Sequence, residues 1–316
     1  MNVPPGKFAK PVIVVSKCLV GARCRWDGDR CEEPLLRGLK QCATILPVCP
    51  EMEIGLGVPR DRIILAKHRN GVALYQPSTH RQLAQKMNRF ARDYLSGLDR
   101  VDGFILKHKS PSCGLRGVKL YSSLKNDADY VRQGTGLFAR EVIARYGHLA
   151  VTDEDRLSNI DHRERWLTRL FTLAAFRTAS EPTRPQQLAA FHDNHRLLFC
   201  TYGKADAARM DRLVGNTATV DEAHNEYGRL LYRLLGKTPR RVNAVEPFAA
   251  ALDHYRPHLQ ISDVERFELQ VRAYLDGELP LAEVRKTVQV WAVRYDKDLV
   301  RRDAVYRPYP GSLTDI

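Results

Sequence analysis

The chain has 316 residues, with 50 Lys+Arg against 37 Asp+Glu for a formal net charge of +13. Hydrophobic residues at 44% and charged residues at 28% lie in the globular range and argue against a disordered, collagen-like or membrane-embedded chain. The length suits about two domains of ~150 residues.

The charge is unevenly divided. Residues 1–150 hold 25 basic and 13 acidic side chains, a net of +12, while residues 151–316 hold 25 and 24, a net of +1. A field of that sign attracts polyanions, of which nucleic acid is the commonest large example. The start, MNVPPGKFAK, is followed by an apolar run of only about five residues, far short of the ~20 that span a bilayer. With seven cysteines, an odd number, the expected setting is the reducing cytoplasm, where clustered thiols bind metal or do chemistry instead of pairing as disulfides.

In chain order, Val12-Ile13-Val14-Val15 reads as a buried strand, and Ala43 to Val48 as a second. Ile63-Ile64-Leu65 and Val72 to Tyr75 suggest further strand. A helix is predicted from His80 to about Leu98, with Leu83, Met87, Phe90, Ala91, Tyr94, Leu95 and Leu98 on one face and a capping box from Thr79 and Gln82. Val101 to Leu106 is another strand. Alternating strand and helix with little hairpin signal predicts an α/β domain over residues 1–150: a mostly parallel, Rossmann-like sheet with helices on both faces.

After Gly147 the texture changes. Residues 151–186 read as a connecting helix and a linker, SEPTRPQQ. Residues 187–316 read as an all-α domain, with capping boxes at Thr219 with Glu222 and Ser262 with Glu265 and a long helical stretch from Leu281 to Tyr306. His192 and His195 share a helix face and suit a metal pair or, more simply, a surface or RNA-contacting role. Arg240-Arg241 and Arg301-Arg302 are local basic pairs, and Trp166 and Trp291 belong to the core.

Three cysteines fall just past strands: Cys18 after VIVV, Cys49 after ATILPV and Cys113 after VDGFIL and the loop KHKSPS. In an open parallel sheet the carboxyl ends of the strands lie along one edge, and ligands bind in the crevice outside it, so three thiols converge there. Their loops carry Gly21, Gly28, Gly114, Glu51, Glu53 and two serines, a composition that suits a cofactor larger than one ion. Structural zinc is the alternative, although the paired CxxC spacing it favours is absent, as is ferredoxin spacing. Cys24 either substitutes for Cys18 or adds a fourth sulfur, and Cys31, Cys42 and Cys200 read as inert.

The motifs CLVGARCRWDG, CPEMEIGLGVPR and SPSCG, in that order, make residues 8–150 resemble the thiouracil desulfidase family. The stretch from Gln187 through FHDNHR to YRPYPGSL resembles the helical domain of its two-domain branch, the tRNA 4-thiouridine desulfidases. The resemblance implies a 4Fe-4S cluster held by Cys18, Cys49 and Cys113 with one iron open. It also implies Glu51 as the acidic catalytic residue, and a serine, Ser110 first and Ser112 second. The implied reaction is hydrolysis of a thiolated pyrimidine without net electron flow, so no nicotinamide or flavin is called for. tRNA is the expected partner, with Arg23, Arg25, Arg60, Lys107, Lys109 and Arg116 beside the motifs as candidate phosphate contacts. The competing readings are a desulfidase of free thiouracil or small thiolated bases, and a non-enzymatic RNA-binding protein with structural zinc.

Overall fold

The structure, a computed structural model, describes residues 8–68, 71–124, 129–180, 185–215 and 220–314. They form two units, one within residues 11–159 and one within residues 160–314 together with residues 8–10. In chain order the first unit contains β1 (Val12–Ser16), α1 (Leu35–Cys42), β2 (Thr44–Val48), α2 (Pro50–Glu53), β3 (Ile64–His68), β4 (Gly71–Gln76), β5 (Arg81–Gln82) and α3 (Ala84–Ser96). It continues with β6 (Gly103–Leu106), β7 (Val118–Tyr121), β8 (Tyr130–Gly134), α4 (Leu137–Tyr146), β9 (Ala150–Asp153) and α5 (Glu154–Leu157).

The sheet that positions the site has the order β2-β1-β6-β9 and is parallel throughout. Its centre is β1, where Ile13, Val14 and Val15 are fully buried, as expected of a continuous β-branched run covered on both faces. Asp102 fixes the entry: its Oδ2 accepts the Val12 N–H at 2.8 Å, and its own N–H donates to the Val12 carbonyl at 2.8 Å. Register places Ser16 beside Val48, Val15 beside Ile105, and Leu106 beside Asp153. The segments leaving β1, β2, β6 and β9 therefore all depart from one edge.

A second sheet, with the order β5-β4-β3-β7-β8, adds to the expected mostly parallel one. Its β3 and β4 form an antiparallel hairpin, with only β3 and β7 parallel. The predicted capping box of Thr79 and Gln82 does not form. Pro77–Thr79 is a 3-10 turn, Thr79 Oγ1 donates to Gln76 Oε1, and Arg81–Gln82 pairs with Tyr75–Gln76 as β5, so the helix starts only at Ala84. Met87, Ala91 and Leu95 are its buried face, as the spacing predicts.

The second unit is helical: α6 (Ile160–Ala179), α7 (Pro185–Asp193), α8 (Arg196–Tyr202), α9 (Lys204–Gly215), α10 (Val220–Leu235), α11 (Arg241–Tyr255), α12 (Ile261–Asp276), α13 (Leu281–Arg294) and α14 (Asp298–Arg302). The α6 segment, expected as a connector, packs inside this unit, with Trp166, Leu170, Phe171 and Ala174 buried. Residues 8–10 join it, Phe8 meeting Phe171 edge-on and Lys10 receiving a hydrogen bond from Arg177. Residues 181–184 of SEPTRPQQ and the cap at Thr219 lie outside the described residues, and Pro185–Gln187 already belong to α7. The cap of α12 sits two residues earlier than expected, where Asp263 Oδ2 accepts the Gln260 N–H at 3.3 Å. The stretch from Leu281 is broken after Arg294 into α13 and α14. No helix among the described residues is long and apolar enough to cross a membrane.

His192 and His195 do not form a metal pair. His192 is buried between Tyr227 Oη (2.9 Å) and Asp211 Oδ1 (2.7 Å), while His195 Nδ1 lies 2.7 Å from the Phe191 carbonyl and its ring stacks with Phe199. Burial depresses the His195 imidazole to about 4. Its native pKa lies below the unfolded ~6.5, so between these values only the unfolded chain takes the proton, and stability falls as pH falls. Chemical unfolding followed from pH 7 to pH 4 is expected to show a loss of up to about 3 kcal/mol from this group. In His195→Phe that part of the slope disappears; an unchanged slope would remove His195 as its source.

Candidate active site

The carboxyl edge of the parallel sheet opens into a cavity of about 740 Å³, within the range of about 300–1,000 Å³ typical of small-molecule sites. Four cysteines line it. Cys18 lies in the 3-10 turn that follows β1, Cys24 in the same loop, Cys49 between β2 and α2, and Cys113 in the loop after β6; all four are buried. The loops are built to hold these positions. The amides of Gly21 and Cys31 both donate to the Cys18 carbonyl, and Pro50 opens α2 directly after Cys49.

The SPSCG loop is the tightest of the three. Ser110 Oγ accepts the amides of Ser112 (3.2 Å) and Cys113 (3.0 Å), and Gly114 N–H returns to the Ser110 carbonyl at 2.8 Å. A Cβ on Gly114 would stand 2.5 Å from Val118 Cγ2 and 2.7 Å from the Ser110 carbonyl oxygen, and one on Gly136 would run into the Ser112 carbonyl oxygen. Only glycine fits either position, because backbone must approach backbone there.

The sulfurs interact closely. Cys18 and Cys24 share a hydrogen bond that pushes the Cys18 thiol up and draws Cys24 down to about 6, and Cys24 is hydrogen-bonded to Cys49 as well. Burial, opposed by a backbone hydrogen bond from Met52, pushes Cys49 up to about 11, and burial likewise raises Cys113. So many buried sulfurs ionise together only beside a cation. A single zinc with bonds of about 2.3 Å brings its sulfurs to within about 3.8 Å of one another. No three of these four lie mutually within 4.8 Å. The donor set is soft and all-sulfur, and its spacing suits a multi-iron group better than one tetrahedral ion.

Glu51 projects from α2 into the same cavity and is 9% exposed. Its two oxygens have different partners. Oε2 accepts from Arg60 Nε (2.9 Å) and Nη2 (2.6 Å); Oε1 accepts from Ser112 Oγ (2.9 Å) and faces Ser110 Oγ at 3.5 Å. Ser112 is fully buried and does not line the cavity, whereas Ser110 does. Ser112 therefore orients the carboxylate, and Ser110 is the serine a bound molecule can reach.

Arg60, expected as a phosphate contact, is an internal clamp. Its guanidinium is buried, bonds the carbonyls of Cys24 (3.0 Å) and Gly57 (2.9 Å) as well as Glu51, and so ties the first motif loop to the second. Breaking a buried pair from one side strands the other charge, at about 3–5 kcal/mol. Arg60→Met should lower unfolding stability by that amount; a stability equal to wild type would show that the clamp is dispensable.

Three more of the expected phosphate contacts are also committed to carboxylates. Arg25 pairs with Asp27 (2.9 Å), Lys107 with Glu154, and Arg116 with Asp155 (3.2 Å) and Asp153 (3.8 Å). Arg116 thereby pairs with two members of the group His108, Asp153 and Asp155, whose ligand atoms lie within 4.8 Å of one another. Arg23 is exposed but outside the cavity lining, and Lys109 is exposed at its rim. Sequence reasoning missed Lys17 and Lys119, which also line the rim and, like Lys109, have no carboxylate within 4.0 Å among the described residues. Their isolation from acidic neighbours in sequence was the available signal for Lys17.

An α/β unit thus gathers buried thiols and a clamped carboxylate at the carboxyl edge of its sheet, a donor set of the kind that binds soft metals. The family model described as 2-thiouracil desulfurase matches residues 13–154, nearly all of that unit, which is similar to that family. Residues 196–310 match a second family, described as a protein of unknown function (DUF1722). A relative from Bacillus subtilis (strain 168), the uncharacterized protein YbbK, is 27% identical over 120 residues, which are 33% of this chain and 73% of its own. A solved structure of a [4Fe-4S]-dependent thiouracil desulfidase, TudS, is 26% identical and covers 47% of this chain and 94% of its own; its TM-score of 0.34 is too low to establish a shared fold by itself.

Proposed function

We propose that this chain is an iron-sulfur desulfidase that removes sulfur from 4-thiouridine in tRNA, giving uridine and sulfide by hydrolysis. The observation that carries the reading is that Glu51 Oε1, with Ser110 beside it, opens onto the cavity lined by four buried sulfurs. Cys18, Cys49 and Cys113, the three at strand ends, would hold a 4Fe-4S cluster with one open iron, and Cys24 lies against them as a further sulfur. Bound there, the cluster would supply a soft Lewis acid matched to a thiocarbonyl sulfur.

The chain's own groups account for the rest. Arg60 holds Glu51 Oε2, so Oε1, oriented by Ser112 and facing Ser110, is the oxygen placed to take a proton from an attacking water. Ser110 Oγ already accepts two amides, which leaves its hydrogen for Glu51 Oε1 or for the pyrimidine ring. The apolar wall of Ile63, Ile64, Leu65 and Val118 receives the ring and excludes bulk water. The ring carbon gains the water's oxygen and loses its sulfur as sulfide. No electrons are exchanged, so the reaction needs neither nicotinamide nor flavin.

The net charge of +12 over residues 1–150 favours tRNA over free thiouracil. The test gives anaerobically reconstituted protein either 4-thiouridine-containing tRNA or free thiouracil and follows the thiocarbonyl absorption. Loss with tRNA is the expected result. Loss with the free base alone would overturn the tRNA assignment, and loss with neither would overturn the activity.

A further inference from the structure

Of the three tryptophans, Trp166 and Trp291 are 4% and 6% exposed, whereas Trp26 is 48% exposed and lines the cavity. A tryptophan left half in water beside a site presents a large apolar face with a polar edge, a surface suited to a planar ligand. Its backbone is fixed, because the Trp26 carbonyl accepts the Arg60 N–H at 2.9 Å and Arg60 is itself anchored on Glu51. Tyr130, 50% exposed, lines the same rim from β8 and pairs across the strands with Tyr121, whose hydroxyl accepts from Arg62 at 2.7 Å. The rim thus offers the aromatic side chains of Trp26 and Tyr130 on backbone fixed by hydrogen bonds.

Lys17, Lys109 and Lys119 line the same rim from three separate segments. Cations without carboxylate partners beside aromatic faces are the pairing that binds single-stranded nucleic acid, phosphates to the lysines and bases to the rings. A free nucleobase would need neither, since the apolar wall already receives one ring.

We propose that Trp26, with Tyr130, stacks on a nucleobase adjacent to the reacting one in a polyribonucleotide, while Lys17, Lys109 and Lys119 hold the phosphates on either side. The inference rests on the RNA reading above and names the residues that distinguish a base within a strand from a free base. Trp26 is a binding residue for the neighbouring nucleotide, separate from the groups that meet the reacting ring.

The test measures binding, not turnover. A fluorescein-labelled, unthiolated oligouridylate of about ten nucleotides is titrated with anaerobic holoprotein and read by anisotropy across a salt series. Trp26→Ala is expected to weaken binding at least about tenfold and Trp26→Phe to restore most of it, with thermal midpoint and iron content unchanged in both. Each of Lys17→Gln, Lys109→Gln and Lys119→Gln should reduce the salt slope by about 0.7. Wild-type affinity in Trp26→Ala, or an unaltered slope in the triple lysine variant, would overturn the proposal. Because the probe carries no sulfur, failure of the desulfidase reading leaves this binding measurable, and failure of the stacking leaves tRNA turnover to be judged separately.

Discussion

Replacing Glu51 by glutamine is expected to lower desulfidation by about 10²–10⁴-fold, the usual contribution of a general base, while leaving the metal content as in wild type. The expectation follows from the asymmetric setting of the carboxylate. Arg60 and Ser112 fix its position, and only Oε1 is turned toward Ser110 and the cavity. Glutamine keeps the volume and an acceptor oxygen for Arg60, so the clamp between the first two motif loops persists and the fold should survive. What is lost is the capacity to take a proton. A Glu51→Gln variant with wild-type rates would remove Glu51 from the mechanism, and one that loses its metal would make the residue structural instead.

Cys18→Ala, Cys49→Ala and Cys113→Ala should each abolish iron binding, because every one removes a sulfur from a different strand end and no other described thiol lines the cavity apart from Cys24. Three control substitutions make the result specific. Cys31→Ala, Cys42→Ala and Cys200→Ala alter half-buried thiols outside the lining, Cys42 being bonded to the Gly38 carbonyl at 3.6 Å, and should leave iron content unchanged. Cys24→Ala is expected to retain the metal, since Cys24 lies in the middle of its loop and not at a strand end. Iron content determined on all seven variants after anaerobic purification checks this pattern; full retention in any of the first three would contradict the assignment of ligands.

The parts of this site that were legible in the sequence are those written in local pattern. β1, β2 and β6 are short, largely apolar runs, and a cysteine lies in the segment that follows each, directly after β2 and beyond the KHKSPS loop after β6, so their convergence followed from the geometry of a parallel sheet. The second sheet was not legible. The partners of β3 are β4 in a hairpin and β7 more than fifty residues on, and nothing in Ile64-Leu65 distinguishes either partner from the central sheet. At Thr79 and Gln82 a valid capping pattern lost to pairing with β4. The arginines failed for a similar reason. A basic residue in a loop reads as solvated, while the carboxylates that claim Lys107 and Arg116 arrive from the end of β9 and the start of α5, forty or so residues later in the chain. His192 of α7 misled because its partners, Tyr227 and Asp211, come from α10 and α9.

Iron and acid-labile sulfide analysis of the anaerobically purified wild-type protein, with its visible spectrum, tests the central claim most directly. The account predicts a brown protein with about four irons and four sulfides per chain, broad visible absorption, and loss of both in Cys113→Ala. A colourless protein holding one zinc per chain would contradict it.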